Sequence, residues 1–231
     1  MRADIWGMIA PGLPQVAAEY AKRDAMITHV RNGIYGEQYM AAAVSLAMVN
    51  TDVRTILEKA LETIPAQSDY ARAVKEIFAC YDRGDSWEEA WQHIDDHYGW
   101  NDDGTRIGDF ENPEYNTKKG RYVWANIRWV HVIPNGASCV LALLYGEGDF
   151  SESICIATMC GYDADCNAGT VGGIIGAMIG EKAIPYKWKG PLNDCFKTGV
   201  DHDFPKELKI SEMAKEVVGY AKETIKQIQA E

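Results

Sequence analysis

The spacing of apolar and polar residues along this chain is mostly helical. Apolar side chains recur every three or four positions, as on the buried stripe of an amphipathic helix, and no segment keeps the alternation of a half-buried strand. The segments with helical spacing begin at or near Pro14, Gly36, Asp52, Ser68, Ser86, Tyr122, Pro134, Asp149 and Ser211. The pattern therefore predicts one all-α domain over residues 1–231.

Several of these segments carry helix-capping residues. Asp52, Ser68 and Asp149 stand where an N-cap side chain accepts a backbone N–H, and Ser86 with Glu89 forms a capping-box pattern. Gly84 is placed to end the preceding helix. The string GEGDF at 146–150 resembles a phosphate loop only superficially, because it lacks the lysine, and it is better interpreted as a helix end followed by a cap.

One long segment breaks the helical pattern. Residues 99–120 are polar, glycine-rich and without periodicity. A loop of this length inside a compact protein is usually either functional or mobile, and the sequence leaves both interpretations open.

Composition and charge argue against several classes of protein. A formal net charge of −11 argues against a nucleic-acid groove, which needs clustered Lys and Arg. Much of the acid lies in 82–114, where eleven Asp or Glu face two Arg, and we interpret this run as a solvated surface. We see no export signal and no apolar run of membrane-spanning length, which predicts a cytoplasmic protein without membrane contact.

The six cysteines show no CxxC spacing, so reduced thiols are expected. Cys139, Cys155 and Cys160 lie in apolar segments, and we expect all three to be buried.

The stretch GYDADCNAGTVGGIIGAMIG, residues 161–180, carries the clearest candidate chemistry. Asp163 and Asp165 are one residue apart, so in an extended turn both carboxylates point the same way, as a Mg²⁺ or Mn²⁺ ion requires. A helix continuing from about Asn167 would aim its N–H groups at the same point and favour a phosphate. Plain helix capping is the alternative. Glycines at 172, 176 and 180 predict a helix face that packs closely on a neighbour.

This stretch resembles the C-terminal part of the ADP-ribosylglycohydrolase family. The resemblance continues into HVIPNGASCVLALLYGEGDFSESICIATMC before it, PYKWKGPLND after it, and residues 17–48, with a threonine–histidine step at Thr28 and His29. It covers about residues 3 to 195. It implies an all-α protein that uses two Mg²⁺ or Mn²⁺ ions to cleave an N- or O-glycosidic bond of ADP-ribose in a small molecule or an ADP-ribosylated substrate.

The resemblance also assigns residues. Asp163 and Asp165 would be metal ligands, and His29, Gly161 and Asn167 would contact substrate. Cys166 stands where the family usually has a threonine or serine hydroxyl as a further ligand; a thiol is a poor ligand for Mg²⁺, so Asn167, water or substrate is expected to supply that oxygen.

A larger departure concerns the family's Thr-Asp-Asp metal motif and the acidic residue that acts near the water. No Thr-Asp-Asp occurs in the chain; the nearest strings are NDD at 101–103 and TDV at 51–53. A fragment, one part of a split protein completed by an N-terminal segment, and a degenerate member are open interpretations. We expect the isolated chain to hydrolyse weakly or not at all. The alternative function is that of a non-catalytic binding or structural member, and the group attached to ADP-ribose is not specified.

Other candidates compete with structural interpretations. His93 and His97 have the spacing of a metal pair on one helix face, but no third ligand is near in sequence. His29 could line a cleft or be a core histidine, and His131 could lie near the cleft. Trp87, Trp91 and Trp100 could stack on adenine, although aromatic residues at helical spacing more often belong to the core.

Overall fold

Helices form nearly all the regular structure in the computed structural model of this chain, which describes residues 2–98, 130–199 and 205–230. The first six α-helices are α1 (Asp4–Met8), α2 (Pro14–Ala25), α3 (Asn32–Ala47), α4 (Val53–Ala60), α5 (Asp69–Arg83) and α6 (Trp87–Tyr98). The other five are α7 (Val132–Tyr145), α8 (Phe150–Met159), α9 (Ala164–Ile179), α10 (Tyr186–Lys189) and α11 (Ile210–Ala230). The predicted all-α class is confirmed.

Only short elements of other kinds accompany them in the described residues. Three 3₁₀ turns occupy Leu61–Thr63, Glu181–Ala183 and Gly190–Leu192. Strands β1 (Cys195–Lys197) and β2 (Glu207–Lys209) pair antiparallel, with Phe196 opposite Leu208. The sequence did not predict this hairpin, because a strand of three residues is too short to show alternation.

The predicted caps are confirmed at the atomic level. The Asp52 carboxylate accepts the Thr55 N–H at 2.7 Å, and the Ser68 hydroxyl accepts the Ala71 N–H at 3.2 Å. Asp149 caps α8 by accepting the Glu152 N–H at 2.9 Å. These bonds satisfy N–H groups that have no partner inside their own helix, which is why such residues mark helix starts.

The remaining local predictions have mixed outcomes. Ser86 and Glu89 form the reciprocal capping box, and Gly84 ends α5 in the left-handed conformation. Helix α2 ends at Ala25, whereas the apolar pattern that begins at Pro14 was expected to continue as a helix to Val30. The aperiodic loop, the NDD string, Trp100 and most of the helix expected near 122–130 lie outside the described residues.

The core is organised around α3 and α7. Every residue of α3 from Tyr39 to Ala47 is buried, and α7 is buried from Gly136 to Leu144. Helix α3 packs against α1, α2 and α9, whereas α7 packs against α5, α6, α8 and α9. The two central helices therefore determine where the first turn of α9 lies.

Close helix contact occurs at a different glycine from the ones predicted. At Gly172 and Gly176 an added Cβ would meet side-chain atoms at 3.4 and 3.6 Å, which is ordinary contact, and Gly180 ends the helix in open space. At Gly36 an added Cβ would lie 2.6 Å from Val132 Cγ2 and 3.0 Å from Tyr70 Cε2. Gly36 is therefore one place of tight approach, between α3 and α7, and the expectation of a tightly packed glycine face on α9 is wrong.

The expectation of three buried cysteines is also wrong for one of them. Cys139 and Cys160 are buried, but Cys155 is exposed. Helix α8 buries Ser153, Ile156 and Ala157, so Cys155 faces away from the core. Within the described ranges, no helix combines the length and the apolar character that a bilayer crossing requires.

Candidate metal centre

Three side chains at the start of α9 form a compact group of possible metal ligands. One ligand atom each from Asp163, Asp165 and Cys166 lies within 4.8 Å of the other two. Across 2–98, 130–199 and 205–230 this is the one group of three or more His, Cys, Asp or Glu side chains with that property. The arrangement offers two carboxylate oxygens, which suit Mg²⁺ or Mn²⁺, and one sulfur, which does not.

The backbone before α9 makes a sharp turn that leaves the Asp163 carboxylate available. Gly161 and Tyr162 both have positive φ angles, 72° and 55°, and Asp163 then occupies the N-cap position. Its side chain makes no capping hydrogen bond to α9. Asp163 is 9% exposed and Asp165 is exposed. Plain helix capping therefore does not explain the Asp163 carboxylate, whereas Asp165 lies in the first turn of α9, where an acid also suits the helix dipole.

Cys166 is held in its thiol form. Burial, a hydrogen bond with the Asp163 side chain and the neighbouring negative charges raise the pKa of Cys166 to about 11. A neutral thiol is a weak ligand for a hard cation, since the thiolate is the form that binds metals. The pair Asp163 and Asp165 fits a divalent ion, whereas Cys166 adds little to it.

A single side-chain amide anchors the first turn of α9. Asn135 Oδ1, on α7, accepts the backbone N–H of Asp163 at 3.0 Å and the Asn167 side-chain amide at 2.8 Å. Asn135 Nδ2 donates to the His131 carbonyl at 2.9 Å. Asn167 is 5% exposed, and its side-chain oxygen faces the Cys139 thiol at 3.6 Å. The amide of Asn167 is thus engaged inside the protein, and its contact with substrate stays a prediction.

A second set of bonds fixes the turn before Asp163 from α6. The Tyr162 hydroxyl donates to Asp95 Oδ1 at 2.8 Å, and Trp91 Nε1 donates to the Cys160 carbonyl at 2.8 Å. Asp95 is 1% exposed. The interpretation of the acidic run as solvated surface is therefore wrong for Asp95, whose burial shows no signal in the local sequence.

The N-terminal ends of four helices lie at this end of the bundle. Asn32 in α3 accepts the Tyr70 N–H of α5 at 3.3 Å, and Gly36 packs on Val132, the first residue of α7. Asn135 then links α7 to Asp163, at the start of α9. Because each helix N-terminus carries a partial positive charge, this end can attract an anionic ligand even though the net charge is −11.

The two histidines considered for the cleft lie near these helix ends. His29 is exposed in the turn between α2 and α3, and its Cβ lies 3.0 Å from where a Cβ on Gly33 would be. The alternative of a core histidine is therefore excluded for His29. His131 is the N-cap of α7 and accepts the Ile133 N–H at 3.3 Å through Nδ1. Burial lowers the pKa of His131, which favours its neutral form.

A buried carboxyl group beside Arg2 and Asp24 was not predicted. The side chain of Glu37 is 9% exposed, and its Oε1 makes no hydrogen bond within the described residues. Burial, a side-chain hydrogen bond with Asp24 and the charge of Asp24 raise the pKa of Glu37 to about 7. Arg2 lies 3.8 Å from Glu37 and pairs with Asp24 at 2.9 Å. The signal available in the sequence was one acid on an otherwise apolar helix.

The remaining candidates have structural partners. His93 Nε2 contacts Glu76 at 3.0 Å, His97 Nδ1 contacts the His93 carbonyl at 2.8 Å, and the two rings stack 4.0 Å apart. In the described part of the chain, His93, His97 and Glu76 do not bring one ligand atom each within 4.8 Å of the other two, so they do not form a candidate metal site. Trp87 and Trp91 pack against the core, in agreement with the structural alternative.

Comparison with known proteins shows to which family the chain belongs. The model of the family described as ADP-ribosylglycohydrolase matches residues 1–224. No curated protein and no solved structure is similar enough to this chain to count as a match. Since the family model covers nearly the whole sequence and the fold is all-α, the chain belongs to the ADP-ribosylglycohydrolase family.

Proposed function

We propose that this protein is a hydrolase that cleaves a glycosidic bond of an ADP-ribose conjugate. The ligand would bind at the start of α9, where Asp163 and Asp165 would hold Mg²⁺ or Mn²⁺. The observation that carries the proposal is the carboxylate pair beside the N-terminus of α9, in a chain of this family. The carboxylates suit the cation, and the helix N-terminus suits a phosphate.

Each residue at the start of α9 has a separate role in this proposal. Asp163 and Asp165 hold the cation, which when bound would polarise a ribose hydroxyl and make water a better nucleophile. Asn135 and Tyr162 keep the turn at Asp163 in place through the bonds described above. The N-terminal end of α9 stabilises the phosphate charge. The bond that would break is the glycosidic bond at the anomeric carbon of the ribose.

The same geometry leads us to expect weak hydrolysis from the 231-residue chain alone. Two divalent ions need about six oxygen ligands each, far more than the two carboxylates that the described residues bring to the start of α9. Without fixed ions a water molecule is not held against the anomeric carbon, and positioning of that kind contributes several orders of magnitude in rate. A further polypeptide segment carrying a Thr-Asp-Asp motif would supply the missing ligands.

A non-catalytic binding protein is the second candidate. It is favoured by Cys166, because a thiol stands where the family usually has a hydroxyl ligand, and sulfur is a poorer ligand than oxygen for Mg²⁺ or Mn²⁺. In this case the ligand would bind with no hydrolysis, whatever segment or ion is added.

One experiment separates the two candidates. ADP-ribose binding is measured by calorimetry with Mn²⁺ present, and release of ADP-ribose from ADP-ribosylated arginine and serine peptides is followed with and without an added Thr-Asp-Asp segment. Binding with hydrolysis that rises from near background when the segment is added supports the hydrolase. Binding that never leads to hydrolysis supports the second candidate. No binding of ADP-ribose by the wild-type chain would exclude both.

A further inference from the structure

An arginine, a threonine and a histidine form a hydrogen-bonded row at the same end of the bundle as the carboxylate pair. Arg2 donates to Thr28 Oγ1 at 2.9 Å, and Thr28 Oγ1 lies 2.8 Å from His29 Nδ1. Both bonds are within the normal range for strong hydrogen bonds. This row is independent of the carboxylates at Asp163 and Asp165.

The guanidinium of Arg2 is itself held in a fixed position. It contacts the Asp24 carboxylate at 2.9 Å and donates to the Asp24 carbonyl at 3.3 Å. Trp6 Nε1 donates to the same carboxylate at 3.3 Å. Arg2 is therefore tied to α2 at two atoms while it donates to Thr28, so its direction is set by the fold and not by Thr28 alone.

Because Arg2 can only donate, it occupies one of the two acceptor positions of Thr28 Oγ1. A hydroxyl group has one proton and two lone pairs, and a guanidinium has no acceptor atom. One lone pair of Thr28 Oγ1 therefore accepts from Arg2, and its proton is free to be donated. A hydroxyl that accepts from a cation becomes a stronger donor and a weaker acceptor, which favours donation from Thr28 to His29 Nδ1, 2.8 Å away, over the reverse bond.

We infer that Arg2 and Thr28 are positioning residues that, in the neutral form of the His29 ring, direct the ring proton to Nε2. If Nδ1 accepts the Thr28 proton, the ring proton must be on the other nitrogen. His29 is exposed, and Nε2 has no partner in the described residues. The row thus presents one fixed N–H donor at the end of the bundle where α3 begins.

This N–H donor suits an acceptor oxygen of the ligand, from a phosphate or a ribose. That assignment rests on the proposed function, whereas the tautomer of His29 does not. A fixed donor binds such an oxygen better than a ring that changes tautomer, because less freedom is lost on binding.

The tautomer is measured by NMR on the full 231-residue chain with ¹⁵N-labelled histidine, without ligand, at about pH 8, where an unperturbed imidazole is neutral. The variant His29→Gln assigns the signal. The wild type should show the Nε2–H tautomer alone. Thr28→Val and Arg2→Gln should give averaged nitrogen shifts, and Thr28→Ser should restore the single tautomer because it keeps the hydroxyl.

The matched control is Thr158→Val on α8, where another exposed threonine hydroxyl donates to the Ile154 carbonyl at 2.8 Å. It should leave the His29 signals unchanged. Circular dichroism verifies that each variant is folded, which the exposure of Thr28 and Thr158 favours. A wild-type signal of mixed tautomers, a proton on Nδ1, or no change in Thr28→Val would overturn the inference.

A titration with ADP-ribose then tests the ligand assignment. ADP-ribose should shift the Nε2 signal of the wild type, and Thr28→Val should bind about fivefold more weakly, the effect of one hydrogen bond of about 1 kcal/mol. If the tautomer is as inferred but the wild type does not bind ADP-ribose, the ligand assignment and the proposed function fail and the positioning role stands.

Discussion

Asn135 Oδ1 accepts the backbone N–H of Asp163 at 3.0 Å, and this bond fixes the start of α9 on α7. The same arrangement recurs elsewhere, because Asn50 Oδ1 accepts the N–H of Asp52, the N-cap of α4, at 2.9 Å. Asn135 lies at the candidate metal centre and Asn50 does not, so a variant of Asn50 can serve as the control for a variant of Asn135.

The first prediction compares these amides. Asn135→Ala should lower the free energy of unfolding by roughly 1–3 kcal/mol, because two buried donors lose their acceptor, and it should reduce the rise in Tm on adding Mn²⁺. Asn50→Ala should leave the Mn²⁺ response as in the wild type. Differential scanning fluorimetry measures both. Equal Mn²⁺ responses in the two variants would mean that Asn135 does not position Asp163 for metal.

The second prediction concerns the carboxylates. Wild-type protein should gain up to about 2.7 kcal/mol at a Mn²⁺ concentration one hundred times Kd, since the ion binds only the folded state. Asp163→Ala with Asp165→Ala should abolish this gain. Asp149→Ala, which removes the cap of α8, should lower the Tm and keep the gain. A double variant that still responds to Mn²⁺ would remove the pair from the site.

The third prediction concerns Cys166. Replacing its thiol by a hydroxyl in Cys166→Ser should strengthen binding of Mg²⁺ and Mn²⁺, because oxygen is the better ligand for these ions. Cys155→Ser is the control, since Cys155 is an exposed cysteine on a different helix. Isothermal titration with each ion measures the affinity. Unchanged affinity in Cys166→Ser would show that this position does not face the ion.

The fourth prediction concerns pH. The pKa of Glu37 is about 7 in the folded protein, above the usual value of 4.5, so the unfolded chain loses this proton first as the pH rises. Glu37 should therefore lower stability progressively between those values, by about 3.5 kcal/mol at most, since the two pKa values differ by about 2.5 and one pKa unit corresponds to about 1.4 kcal/mol.

Glu37→Gln should remove this pH dependence. The Tm of the variant minus the Tm of the wild type should therefore increase between about pH 5 and about pH 8. Glu58→Gln is the control, because that side chain is 51% exposed. Thermal unfolding at a series of pH values gives the comparison. A constant difference between Glu37→Gln and wild type would contradict the shifted pKa.

The fifth prediction concerns helix contact. Gly36→Ala should cost roughly 1–3 kcal/mol, because its Cβ would lie 2.6 Å from Val132 Cγ2 in a packed interface. Gly176→Ala should be neutral or stabilise by up to about 1 kcal/mol, since alanine is the better helix former and its Cβ meets Ile184 at 3.6 Å. Chemical denaturation of both variants is the test. The opposite order would place the tight contact on α9.

The sequence predicted local features of this protein well. Asp52, Ser68 and Asp149 were recognised as caps because the bond each one makes reaches only three residues along the chain. Asp163 and Asp165 were found for the same reason, as they are neighbours in sequence. The family resemblance led to their assignment as metal ligands. The match over residues 1–224 supports membership of the family.

Contacts between distant segments were not predictable. Asp95 looked like one more acid in a charged run until α6 placed it against Tyr162. Asn135 was not singled out in the sequence, and nothing local indicates that its amide would accept from Asp163. The prediction of a tightly packed glycine face on α9 was wrong for the same reason. Whether a position requires glycine depends on the residue that packs against it, as Val132 does against Gly36.

The anchors of the turn before α9 also affect when the candidate centre can form during folding. Asp163 bonds to a residue 28 positions away, Tyr162 to one 67 away, and Cys160 to one 69 away. Contacts across long loops form late, because the loop-closure entropy must be lost before they are gained. A nascent or partly assembled chain should therefore contain helices before it can retain a cation, and metal retention would report that assembly is complete.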